Sequence, residues 1–99
     1  MNNYAVIDKN GEELHGVNLL HPGTILQEEI EARKIKKFIF AANIGILPSH
    51  LSDLFVGKRN ISAKIALKIE KELGIAAEVW MRLQMQYDLD TARRKLKVT

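Results

Sequence analysis

An all-α domain of five short helices is the fold this chain predicts, on three observations. From Pro22 onward, apolar residues recur three and four positions apart in successive segments, the pattern of helices that each bury one face. Those segments are punctuated by Gly45, Gly57 and Gly74, so the connections between them are short. Finally, 99 residues with 46% hydrophobic content suffice for one modest core and leave little room for a second domain.

Residues 1–19 stand apart as an N-terminal extension. Tyr4 to Ile7 is rich in strand formers, Asp8-Lys9-Asn10-Gly11 is a turn signal, and Leu14 to Val17 offers a returning strand, the pattern of a short β-hairpin. An isolated hairpin of this length is marginal in water. Three fates are open to it: packing on the helical body, pairing with another chain, or partial disorder.

The helical part, residues 20–90, opens at His21-Pro22-Gly23, where Pro22 suits a first helical position and His21 precedes it. The first helix is expected to reach about Lys34 and to bury Ile25, Leu26 and Ile30. Glu28, Glu29 and Glu31 towards its first half and Arg33 and Lys34 in its last turn would complement its dipole. A second helix, about Lys37 to Ile44, is expected to bury Phe38, Ala41 and Ile44 and to stop at Gly45. The third, Pro48 to Val56, puts Leu51, Leu54 and Phe55 on one face and leaves Ser49, His50, Ser52 and Asp53 outside. Gly57 ends it just before the cations Lys58 and Arg59. Ser62 caps a fourth helix, Ala63 to Leu73, whose Ile65, Ala66, Ile69 and Leu73 share a face before Gly74 terminates it. The fifth starts near Ala77, passes Asp88 and leads into a basic C-terminal tail, residues 91–99.

Two apolar stripes run along this fifth helix. Trp80, Leu83 and Tyr87 form one; Met81, Met85, Leu89, Ala92 and Leu96 form another, more than a quarter turn away. The first serves the core. The second needs another cover, and a symmetric partner helix supplies it, so a homodimer with Met81, Met85 and Leu89 at its interface is expected.

The charge is laid out unevenly. Residues 1–32 carry one Lys against six acids, net −5; residues 33–71 carry nine Lys/Arg against two acids, net +7; residues 72–99 sum to +1. The positive block coincides with the third helix and its flanks. A helix held by one apolar face, presenting short polar side chains within a basic surround, has the build of a recognition helix for the major groove. A solvated basic face is the plainer alternative.

Other classes find less support. The absence of cysteine excludes disulfides and thiolate chemistry, and no apolar run approaches membrane-spanning length. With no signal-peptide pattern in MNNYAVIDKNGEELHG, a soluble cytoplasmic protein is expected. His15, His21 and His50 fit no metal-ligand spacing, and adjacent Glu28 and Glu29 point about 100° apart on a helix, so they cannot face each other as an acid and base pair. There is no phosphate-cradling glycine loop and no nucleophile elbow. No catalytic residue, metal or cofactor is predicted.

From Leu20 to about Asp90 the chain resembles the HigA-type antitoxins of type II toxin-antitoxin systems, a branch of the Cro/CI-like (lambda repressor-like, XRE family) helix-turn-helix proteins. The resemblance rests on His21-Pro22-Gly23 with Ile25-Leu26, Gly45-Ile46 with Pro48-Ser49, Gly57-Lys58-Arg59 with Ile61-Ser62, and Trp80 with Leu83-Gln84 and Tyr87-Asp88-Leu89. It implies a five-helix DNA-binding domain, usually a dimer, that binds double-stranded operator DNA, represses its own operon and neutralises a HigB-like toxin, an mRNA-cleaving ribonuclease of the RelE type. Carried over by position, it implies base contacts from Ser49, His50 and Asp53 with Ser52 beside them. It implies phosphate contacts from Lys37, Lys58, Arg59 and Asn60, with Lys36 adding charge beside the DNA backbone. The chain departs from the family where Lys36-Lys37 replaces Ser-Gln, Val56 replaces Asn, His50 replaces a frequent Arg, and Ala76-Ala77 replaces Ser/Thr-Pro. For toxin capture, the acidic residues 1–32 are the sequence basis expected to attract a ribonuclease's positive surface. The alternatives are a stand-alone XRE-type regulator without a toxin and a purely protein-binding helical module.

Overall fold

The computed structural model describes residues 20–98, so the expected hairpin in residues 1–19 lies outside the described residues. Five helices follow in order: α1 Pro22–Ala32, α2 Lys37–Ile44, α3 Pro48–Phe55, α4 Ala63–Leu73 and α5 Ala77–Val98. Their boundaries fall where the local chemistry puts them. His21 caps α1 through its ring, Ser62 caps α4 by accepting from the Ile65 N–H, and Gly45 and Gly74 close α2 and α4 in the left-handed conformation. Ser62→Ala removes one capping acceptor and is expected to cost about 1 kcal/mol, read as a lower urea midpoint at unchanged slope.

One core unites all five helices. Leu26 and Ile30 of α1, Phe40, Ala41 and Ile44 of α2, and Leu51, Leu54 and Phe55 of α3 meet Ile65, Ala66, Ile69 and Leu73 of α4 and Trp80 of α5. Trp80 is the largest fully buried side chain, and it shares the core with the buried Ile61 of the connection before α4. Burial of each large apolar side chain stabilises the fold by roughly 1.5–3 kcal/mol, so no single contact dominates.

Three expectations are corrected. Phe38 is 59% exposed, and Phe40 takes its place in the core. In so short a helix, with Phe38, Ile39 and Phe40 consecutive, the pattern fits more than one face. Packing against both α3 and α4 selects the face of Phe40, Ala41 and Ile44, and Phe38 lies about 200° around from Phe40. Second, α1 stops at Ala32, so its first turn holds no acid and its last no base; the expected dipole match is absent. Glu29 instead pairs with Arg33 at 2.8 Å, and Arg33 Nη1 donates to the Leu73 carbonyl at 2.9 Å, tying the end of α1 to the end of α4. Third, Ile25, expected inside with Leu26 and Ile30, is only partly buried at the core edge. The helix α5 also takes in residues 91–98 of the basic tail, with Ala92 and Leu96 of the second stripe on it.

The first turn of α1 presses on α3 unusually closely. A Cβ placed on Gly23 would sit 1.6 Å from the Leu54 carbonyl oxygen, a distance no side chain can occupy. Only glycine lets the two backbones meet there.

Candidate nucleic-acid interface

α2 turns by 107° into α3 across the three-residue connection 45–47. This is the angle and loop length of a helix-turn-helix unit. Gly45 makes the corner with φ 76° and ψ 34°; its N–H donates to Ala42 and the Ile46 N–H to Ala41, which satisfies the last carbonyls of α2. Leu47 then precedes Pro48 in an extended conformation, and α3 begins at once.

The buried Leu51, Leu54 and Phe55 fix how α3 is rotated. Ser49 is therefore exposed, with His50, Ser52 and Asp53 half-buried along its outward side. Two of these four side chains are joined to cations. Lys37 Nζ donates to Ser52 Oγ at 2.7 Å, and Arg59 Nε donates to Asp53 Oδ2 at 3.3 Å. So a cation from the start of α2 and one from the loop after α3 both reach the exposed face. The Arg59–Asp53 tie is weak: an ion pair this exposed contributes at most about 1 kcal/mol and yields readily to a competing anion. Lys36 and Lys58 are exposed as well. The loop 57–60 folds back on α3, because the Lys58 and Arg59 N–H groups both donate to the Asp53 carbonyl, at 2.8 and 3.2 Å.

Beneath this loop lies an arrangement that sequence spacing did not reveal. His21, only 5% exposed, accepts from the Gly23 N–H through Nδ1 at 2.9 Å, and its Nε2 lies 3.1 Å from Asn60 Oδ1. Its ring meets Tyr87 of α5 edge-on, with centroids 4.7 Å apart, and lies next to Gly57. Buried Gln84 accepts from the Ile61 N–H at 2.8 Å and donates to Asp88 at 3.0 Å. Gln84, four positions after Trp80 and three before Tyr87 and so on the apolar face of α5, was a usable signal. Nothing local connects His21 to Asn60, 39 positions away.

On α5, the stripe expected at a partner interface divides. Met85 and Leu89 are 54% and 42% exposed, whereas Met81 is partly buried against the domain's own core. Leu83 too packs partly against it. Elsewhere, an open cleft of about 310 Å³ separates α2 from α4, with Asn43 donating to Glu72 at 2.8 Å on its wall. Among the described residues no single helix is long and apolar enough to cross a membrane, and no group of three acidic or imidazole side chains is placed to hold a metal.

Known proteins share both the sequence pattern and the shape. The helix-turn-helix family pattern matches residues 30–80, a span running from the end of α1 to Trp80. An Escherichia coli relative described as an uncharacterized HTH-type transcriptional regulator, YddM, is 30% identical over 78 residues, covering 79% of this chain and 83% of its own. An addiction module antidote protein of a HigA family from Coxiella burnetii superposes with a TM-score of 0.74 at 32% identity, covering 80% of this chain and 87% of that one. The Pseudomonas aeruginosa antitoxin HigA, solved with the higBA promoter, has a TM-score of 0.74 at 29% identity, over 79% of this chain and 86% of that one. With half the chain inside the family pattern and its helices superposing on HigA antitoxins, the protein belongs to the XRE-type helix-turn-helix family.

Proposed function

We infer that the chain is a DNA-binding antitoxin, a dimer that represses its own operon and neutralises a HigB-like, mRNA-cleaving toxin. The observation that carries the DNA half is α3 itself. It is rotated by its buried face so that Ser49, His50, Ser52 and Asp53 look outward, with Lys37 and Arg59 drawn onto that same face from either side. Short polar side chains read base edges while surrounding cations set the register on phosphates. Lys36, Lys37, Lys58 and Arg59 fill the second role, with the uncharged Asn60 beside them as a hydrogen-bond donor to phosphate. Met85 and Leu89, with Met81 at the margin, fit a self-complementary interface that sets two recognition helices about 34 Å apart.

A gel shift on the chain's own promoter at several salt concentrations tests this reading. His50→Ala is expected to relax preference at one base step and leave random DNA unaffected. Lys58→Ala is expected to weaken every sequence alike and to lower the salt slope by about 1. Equal losses on specific and random DNA for both variants would overturn the assignment of roles. For the toxin half, co-expression with the neighbouring gene should yield a co-purifying ribonuclease. The kinship with the HTH-type transcriptional regulator YddM favours a second reading, a stand-alone transcriptional regulator without a toxin, which failure of that co-purification would select.

A further inference from the structure

We propose that His21 is a positioning residue for DNA binding, one that orients the side chain of Asn60 so that its amide nitrogen faces the phosphate backbone; the proposal rests on the DNA reading above. The chain of donors and acceptors leaves one consistent arrangement. The Gly23 backbone N–H has only a proton to give, so Nδ1 must accept it and carries no proton itself. The neutral ring then bears its proton on Nε2, which donates across 3.1 Å to Asn60. Of the two ends of a carboxamide only the oxygen accepts. Oδ1 is thereby held inward, and the NH₂ group, with two donors, is the end left to the solvent side of an exposed residue. A phosphate oxygen accepts from NH₂ and is repelled by a carbonyl oxygen. The orientation of this amide therefore decides whether Asn60 attracts or repels DNA.

The ring is fixed on its other sides too. Tyr87 contacts it edge-on and Gly57 lies beside it, while Gln84 holds the Ile61 N–H immediately after Asn60. Residues 57–60, which carry Lys58 and Arg59, are thus bound from below by α1 and α5, and that order is in place before DNA arrives. Ordering the loop in advance removes part of the entropic cost of the phosphate contacts.

The test uses the full-length chain and a promoter duplex, with affinity measured over a range of salt beside a thermal melt for each variant. His21→Asn keeps a capping acceptor for the start of α1 and is too short to reach Asn60. It is expected to lose roughly tenfold in affinity for specific and random duplexes alike and, because the lost contact comes from an uncharged amide, to leave the salt slope unchanged. Asn60→Ala should match it. Combining the two should bind DNA no more weakly than Asn60→Ala alone, and their effects on melting should fall short of additive because both remove the same hydrogen bond. Asn60→Asp keeps an acceptor for His21 but presents a carboxylate to phosphate, so it should melt like the unaltered chain and bind DNA more weakly than Asn60→Ala. Additive affinity losses in the double variant, unaltered binding by His21→Asn, or Asn60→Asp binding at least as well as Asn60→Ala would overturn the proposal. If His21→Asn proves unfolded, His21→Ser, a capping residue likewise too short to reach Asn60, takes its place under the same criteria. An unaltered chain that fails to shift its own promoter removes the DNA reading, and the role of His21 falls with it. One that shifts DNA while the Asn60 variants behave normally removes only the latter.

Discussion

Replacing Gly23 by alanine will destabilise the domain by about 3 kcal/mol, the upper range for forcing atoms into a filled space. Helix propensity alone gives the opposite sign, since alanine inside a helix is favoured over glycine by nearly 1 kcal/mol. The close approach decides which effect wins. The new methyl carbon would fall 1.6 Å from the Leu54 carbonyl oxygen and 2.5 Å from its carbon, and these are backbone atoms that no rotamer change can move. Either α1 lifts from α3 or α3 rotates on its bed of Leu51, Leu54 and Phe55. Rotation would also re-aim Ser49, His50 and Asp53, so DNA affinity should fall along with the urea midpoint. An unfolding curve equal to or better than that of the unaltered chain would show that α1 meets α3 differently.

The contrast between Gly23 and Gly45 shows what a sequence can disclose. Gly45, Pro48, Gly57, Ser62 and Gly74 act through their own few neighbours, and each stands where its backbone preference predicts. The face of α3 was legible for the same reason: Leu51, Leu54 and Phe55 fit one stripe and no other. α2 was not, because consecutive Phe38, Ile39 and Phe40 leave the inward face to be chosen by α3 and α4. The ties of Lys37 to Ser52 and of His21 to Asn60 join residues brought together only by the tertiary fold. His21-Pro22-Gly23 reads locally as a helix start. Its second meaning, a backbone contact with α3 on one side and a ring beneath the loop after α3 on the other, exists only once the fold has formed.

Leu89→Glu is expected to turn a dimer into a monomer and to lower affinity for the full operator by 100-fold or more while leaving the fold intact. Met85, Leu89, Ala92 and Leu96 follow one another at intervals of four, three and four along α5, the seam spacing of paired helices. The three large ones are exposed, Leu96 to 74%, so the seam contributes little to the core beneath it. Substituting there therefore tests association without a core penalty, whereas a charge at Met81, which packs partly inward, would confound the two. The size of the loss follows from valency. Linking two recognition helices makes the second half-site encounter intramolecular, worth about 10²–10⁴ in overall affinity with no new contact to DNA. A duplex cut to one half of the protected region lacks that gain, so Leu89→Glu and the unaltered chain should bind it equally. Sedimentation reads the mass, and the ratio of full-site to half-site affinity reads the linkage. A Leu89→Glu chain that still sediments as a dimer at micromolar concentration, or a monomer that retains full-site affinity, would move the partner contact away from α5.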